Sequence, residues 1–241
     1  MTKVVLFSGG IDSAATLAMA VASCAHTPED VLALGFRYGS LHQDAETTRA
    51  LVVCSRMGIT HRTIDLPPSI FNGSDSALLG QSHMPTDEYH DPTKETPSAT
   101  IVPFRNGIFL AIATAVAESL GGGEVWIGVH ATDHNGWAYP DCSPEFIGSM
   151  TGGVYIGTLR KVRLVAPFLH ATKKDVVLAA VELGVPIAHT WSCYRGGEIH
   201  CGECPTCRER IKAFTEAGYR DPVPYEGLVA WPTYGLKEIP S

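Results

Sequence analysis

Positive charge is scarce in this chain: 18 Lys and Arg stand against 25 Asp and Glu, a formal net charge of −7. A surface that tracks a nucleic-acid backbone needs cations for the phosphates it neutralises, so the balance disfavours a direct nucleic-acid partner and leans towards a small-molecule substrate. Long apolar runs are also missing. None reaches the roughly 18 residues of a membrane span, so no membrane role is expected. The N-terminus shows no basic stretch followed by an apolar run and a cleavage site, and a cytoplasmic location is expected. Internal repeats and low-complexity tracts are absent. The seven cysteines, at 24, 54, 142, 193, 201, 204 and 207, are odd in number and crowded towards one end. Such spacing suits metal ligation better than a disulfide framework. What is present, 45% hydrophobic and 18% charged residues over 241 positions, suits one large soluble domain with a small appendage.

Short apolar runs alternate with helical patterns. Strands are predicted at Lys3–Phe7, Val31–Phe36, His61–Leu66, Glu124–Val129 and Val162–Ala166. Helices are predicted at Asp12–Ser23, His42–Met57, Arg105–Leu120, Lys173–Leu183 and Pro205–Ala217. The alternation implies an α/β fold: a Rossmann-like, doubly wound parallel sheet of about five strands with helices on both faces. Residues 68–102 lack a clear period and read as an irregular insertion or lid. The α/β domain is expected over 1–187, with a C-terminal metal-binding segment and tail over 188–241. Loops 8–13, 37–43 and 130–143 each follow a predicted strand and therefore open on one rim, where such sheets bind ligands.

The first of these loops lies within VVLFSGGIDSAAT, residues 4–16. It holds two hydroxyls and one carboxylate, but no histidine, lysine or cysteine. Two glycines between strand and helix let backbone N–H groups converge, and the helix N-terminus behind them favours an anion. Ser8 and Ser13 add donors; Asp12 can cap the helix or hold magnesium. A plain strand-to-helix turn with a capping Asp is the alternative. The full string Ser-Gly-Gly-Xaa-Asp-Ser resembles the PP-loop of ATP pyrophosphatases and differs from a Walker loop or a dinucleotide fingerprint. That resemblance implies cleavage of ATP between its α and β phosphates. A loop of this kind needs no nucleophile, because the substrate supplies one.

The second motif is WSCYRGGEIHCGECPTC, residues 191–207. Cys193, Cys201, Cys204 and Cys207 are spaced to converge on one ion, and four sulfurs complete a closed, structural zinc site. An iron–sulfur cluster or redox-active thiols are the other readings of this spacing. His200 is expected to be a neighbour, not a ligand. The third motif, GVHATDHNGWAYPDCSPEFI at 128–147, crowds polar, aromatic and carboxylate groups after a strand, which suits a planar heterocycle. Asp133 and Asp141 as turn formers, Trp137 and Tyr139 as packing, and Cys142 as a small buried residue are the plainer alternatives.

Six strings then occur in one order: the PP-loop, RYGSLHQDAE at 37–46, VPFRNGIFL at 102–110, YPDC at 139–142, TWSCY at 190–194 and CGECPTCRER at 201–210. Together they resemble the QueC family of the queuosine pathway, the 7-cyano-7-deazaguanine synthases. The resemblance implies a PP-loop, adenine nucleotide α-hydrolase-like fold. It also implies ligase chemistry, turning 7-carboxy-7-deazaguanine and ammonia into the nitrile through acyl-adenylate and amide intermediates. ATP is consumed with the help of Mg2+, AMP and diphosphate are released, and zinc is structural; a homodimer is implied. By the same likeness the nucleotide lies along Phe7, Ser8, Gly9, Gly10, Ile11, Asp12, Ser13, Ala14, Ala15, Thr16 and Leu17. Asp12, Ser13, Lys173 and Arg105 take catalytic roles; Tyr38, Asn106, Asp133, Tyr139 and Asp141 take substrate roles; Cys193, Cys201, Cys204 and Cys207 hold zinc. One departure stands out: where the family often continues YPDC with arginine, this chain has Ser143. An enzyme that stops at the amide, or that passes the activated base to another amine, is one alternative. A PP-loop tRNA-modifying enzyme is a more distant one.

Overall fold

Five β-strands form one sheet in which every neighbouring pair is parallel: β1 (Thr2–Leu6), β2 (Val31–Arg37), β3 (Thr60–Asp65), β4 (Gly123–Trp126) and β5 (Val162–Val165), ordered β3-β2-β1-β4-β5. This is a computed structural model, and it describes residues 1–23, 28–84, 98–134, 138–232 and 235–239. The chain moves outward from β1 to β3 and then returns to the other side at β4. That reversal opens a crevice between the carboxyl ends of β1 and β4, the place where doubly wound sheets take ligands.

The helices are α1 (Ile11–Ala22), α2 (Gln43–Met57), α3 (Arg105–Ser119), a single turn α4 (Ala131–His134), α5 (Pro144–Gly157), α6 (Lys173–Glu182) and α7 (Pro205–Ala217). Alternation along a strand sends successive side chains to opposite faces, and the two cores divide accordingly. Val5 joins Leu17, Val53, Val176 and Phe214 under α1, α2, α6 and α7. Val4 joins Leu34, Leu110, Val125 and Ile147 under α3 and α5. The α/β architecture expected from the sequence is the one observed. No helix among the described residues is long and apolar enough to cross a membrane.

Two local differences have physical causes. β4 ends at Trp126, short of the expected Val129, because the chain then runs against the first turns of α1. A Cβ on Gly128 would lie 2.7 Å from Thr16 Oγ1 and 2.9 Å from the Asp12 carbonyl oxygen. α5 occupies a stretch for which no helix was expected; Ser143 caps it and Pro144 fills its first position. Within 68–102, residues Pro68–Phe71 and Ala77–Leu79 form 3-10 turns. Phe71, Leu78 and Val102 bury against Tyr38, and residues 85–97 of the expected lid lie outside the described ones.

Candidate active site and metal centre

The loop after β1 is held from several sides. Gly9 sits at φ +85°, and a Cβ there would meet the Ala50 nitrogen at 2.8 Å and the Glu46 carbonyl at 2.9 Å. Only glycine fits this close approach to α2. The Gly9 carbonyl accepts from the Trp191 N–H at 2.9 Å. Ser13 Oγ donates to the Gly10 carbonyl at 3.0 Å and accepts from the Ser8 N–H at 3.3 Å, and Gly10 N–H donates to Ser8 Oγ at 3.3 Å. Gly10 is the N-cap of α1 and no side chain caps it, so the helix end is open to an anion. Asp12 is therefore not a capping residue. Phe7, Ser8, Gly10, Asp12 and Ser13 line the cleft, whereas Ile11, Ala14, Ala15 and Leu17 are fully buried core and Thr16 Oγ1 bonds back to the Asp12 carbonyl.

Beside the loop, charged groups from four helices and the loop leading into α4 meet. Lys173 Nζ of α6 lies 2.6 Å from Asp12 Oδ2 and 3.5 Å from Glu209 Oε2 of α7. His130 Nε2 lies 3.3 Å from Lys173 Nζ, 3.5 Å from Asp12 Oδ1 and 3.4 Å from Asp133 Oδ1. Burial opposes the charge of Asp12, Lys173, His130 and Glu209. For Asp12 the Lys173 ammonium and His130 outweigh it and hold the carboxyl well below the usual range. For Lys173, Asp12 and Glu209 outweigh it and keep the amine protonated. Asp133 and Asp12 likewise raise His130. Lys173 thus stays a cation beside the anion-ready loop.

Across the cleft, Arg105 at the start of α3 donates to the Tyr38 hydroxyl at 3.1 Å. Asn106 N–H donates to Asp141 Oδ2 at 2.9 Å, so Asp141 caps α3 from outside the helix and does not line the cleft. Asn106, Asp133, Tyr38, Tyr139, Arg105 and Lys173 do line it. Tyr139 OH shares a 2.5 Å hydrogen bond with Thr100 Oγ1. Cys142 is buried, its thiol pushed up by burial, and Trp137 lies outside the described residues. At about 220 Å3 the cleft is smaller than those that enclose a whole drug-sized ligand, so a nucleotide and a base together must extend beyond it. Sequence reasoning missed four of the buried or cleft-lining groups: His42, Glu46, His130 and Glu209. All sit inside the quoted motifs; His130 directly follows the predicted strand 124–129, while no local pattern marks His42, Glu46 or Glu209.

The four sulfurs of Cys193, Cys201, Cys204 and Cys207 lie within 4.8 Å of one another, and all four residues are buried. Thiolates about 2.3 Å from a tetrahedral zinc stand about 3.8 Å apart, so the set fits such an ion after slight contraction. Backbone N–H groups of Glu203 and Cys204 point at Cys201 Sγ, at 3.4 and 3.3 Å, as a thiolate ligand requires. His200 Nε2 instead accepts the Ser192 N–H at 3.1 Å.

Fold and site together define a class: a doubly wound α/β protein with an anion-ready loop at its switch point and, after it in the chain, four buried cysteines able to hold a metal. Comparison with known proteins narrows it. The family described as "Queuosine biosynthesis protein QueC" matches residues 2–218. Proteins named 7-cyano-7-deazaguanine synthase from Marinomonas sp. and Porphyromonas gingivalis are 39% and 40% identical to this chain. They cover 92% and 93% of it, and 97% of their own length. The one from Thermoplasma acidophilum is 38% identical over 96% of this chain and 93% of its own. The chain belongs to the QueC family of queuosine biosynthesis.

Proposed function

We propose that this chain converts 7-carboxy-7-deazaguanine and ammonia to 7-cyano-7-deazaguanine, consuming ATP and releasing AMP and diphosphate. One observation carries the reading: a helix end with open N–H groups, flanked by Ser8 and Ser13, lies beside a permanently protonated Lys173 in a cleft walled on its other side by Arg105. A carboxylate is a poor electrophile, being negative and lacking a usable leaving group. Two cations in one cleft answer both difficulties. Arg105 draws the substrate carboxylate in, and Lys173 with the loop stabilises charge on the phosphates as the carboxylate oxygen displaces diphosphate. Ammonia then replaces AMP to give the amide, and a second adenylation on the amide oxygen lets AMP depart as the nitrile forms. Asp12 Oδ1, buried and bound by nothing nearer than His130 Nε2 at 3.5 Å, is the oxygen offered to magnesium. Asp133, Tyr38, Asn106 and Tyr139 are positioned to face the base, and Asp141 acts by fixing the start of α3. Zinc at the four cysteines, with no open position, serves structure alone. A cytoplasmic homodimer belongs to this reading on family membership only.

Ser143 favours one second reading. Its Oγ accepts the Phe146 N–H as the cap of α5, so no cation stands at this position, and a product short of the nitrile is the alternative. Mass spectrometry after incubation with 7-carboxy-7-deazaguanine, ATP, magnesium and ammonium decides between them. The nitrile with two AMP per base is expected. Amide alone supports the second reading, and release of ADP and orthophosphate removes both.

A further inference from the structure

Glu46 has no role in the account above, yet it lines the same cleft as Ser8, Arg105 and Lys173. It sits in the first turns of α2, and its own carbonyl is one of the groups, with the Ala50 nitrogen, that crowd Gly9. Its side chain is 21% exposed and makes no hydrogen bond among the described residues; the nearest charge partner is His42 Nε2 at 3.6 Å. His42 is itself buried and its Nδ1 is unpartnered. A structural carboxylate in such a place needs a cation of its own. Arg105 gives its hydrogen bond to Tyr38 instead. A carboxyl with no hydrogen bond, and only a histidine 3.6 Å away, beside a loop built for phosphates, is poorly explained by stability.

We propose that Glu46 is a catalytic base of the amine step, accepting a proton from the nitrogen that attacks the activated carboxyl carbon. The inference rests on the adenylation reading given above. The nitrogen lone pair forms the C–N bond, the C–O bond to AMP breaks with its electrons on the phosphate oxygen, and one N–H proton passes to a Glu46 oxygen. The resulting carboxylic acid returns that proton to water before the second round. The groups facing Glu46 are His42 from the loop before α2, Arg105 from α3 and, through a small adjoining cavity, His61 of β3. Burial pushes Glu46 up to about 8, with Arg105 opposing, and pushes His42 down to about 4. The carboxylate, the form that accepts a proton, grows in as pH rises towards 8, as does free ammonia.

The test separates the two half-reactions. Pyrophosphate exchange into ATP, dependent on 7-carboxy-7-deazaguanine, reports adenylation; amide appearance from ammonium reports the amine step. In Glu46→Gln, exchange is expected to stay within about threefold of the unsubstituted enzyme while amide formation falls at least about fiftyfold. Glu46→Asp is expected to recover part of the loss. Hydroxylamine, whose far less basic nitrogen sheds its proton to water more readily once bonded to carbon, is expected to be hurt much less than ammonium. An equal fall in exchange and amide formation, or no fall in either, overturns the assignment. Absence of exchange in the unsubstituted enzyme overturns the adenylation reading itself, and the role of Glu46 with it. Melting curves of both variants separate misfolding from lost chemistry.

Discussion

At the scale of single residues, the cleft divides its carboxylates into two kinds. Asp12 is stabilised in its charged form by Lys173 and His130, so its contribution is present above the unfolded pKa and fades only in acid. Glu46 has the opposite sign. Unfolded, it releases its proton near pH 4.3; folded, it holds it up to about 8. Between those values the native state binds the extra proton, so stability falls as pH rises from about 5 to about 8 and then levels. Glu46→Gln removes that slope. Urea unfolding at pH 5.5, 7 and 8.5 is expected to show the variant gaining on the unsubstituted chain by roughly 1–3 kcal/mol across the range. His130 titrates in both proteins and cancels in the comparison. Parallel curves contradict the claim. A residue that costs stability near its working pH is the kind retained for chemistry.

At the scale of elements, α5 is marginal. Gly148, Gly152, Gly153 and Gly157 lie within it, and a Cβ on any of them meets nothing within 4 Å. Each glycine weakens the helix by about 1 kcal/mol relative to alanine, so the Ser143 cap matters more than usual. Ser143→Ala is expected to cost about 1 kcal/mol, a fall of about 2–4 °C in melting temperature, and adding Gly152→Ala is expected to restore it. No fall in the single variant contradicts the capping role. The same glycines explain why the helix was hard to read from sequence: they erase the period, although Ser143-Pro144-Glu145 is a proper helix start. The strands and α1, α2, α3, α6 and α7 were legible to within a few residues because their apolar spacing is uninterrupted, whereas the single turn α4 falls in a stretch expected to be a polar loop. β4 was over-extended for a tertiary reason, the passage of Gly128 against α1, which no local pattern carries. The loop motifs were legible as strings. The pairing of Lys173 with Asp12 across 161 positions was not, since it depends on how distant elements dock.

At the scale of the whole molecule, the C-terminal segment and the Ser8–Ser13 loop are joined by a chain of buried hydrogen bonds. Arg210 and Asp221 are both fully buried and paired at 2.6 Å. Arg210 also donates to Thr190 Oγ1 at 2.8 Å and Ser192 Oγ at 3.1 Å, while Tyr225 OH donates to Asp221 Oδ2 at 2.7 Å. Between Thr190 and Ser192 stands Trp191, whose N–H holds the Gly9 carbonyl. The residue two places further, Cys193, opens the sulfur cluster. Asp221 and Tyr225 lie past residue 218, where the family match stops, yet they complete the buried network. Asp221→Asn leaves the Arg210 charge buried without its counter-ion, which costs about 3–5 kcal/mol and on the order of 10 °C in melting temperature. The effect is expected to reach the cleft: amide exchange at Trp191 N–H quickens and ATP binding weakens at temperatures where the fold persists, because Gly9 loses the support of a fixed 190–192 segment. A variant that melts early but binds ATP as tightly as the unsubstituted chain shows the segment to be an anchor for the tail only. Weakened binding in the still-folded protein shows that the loop's shape is set from the far end of the chain.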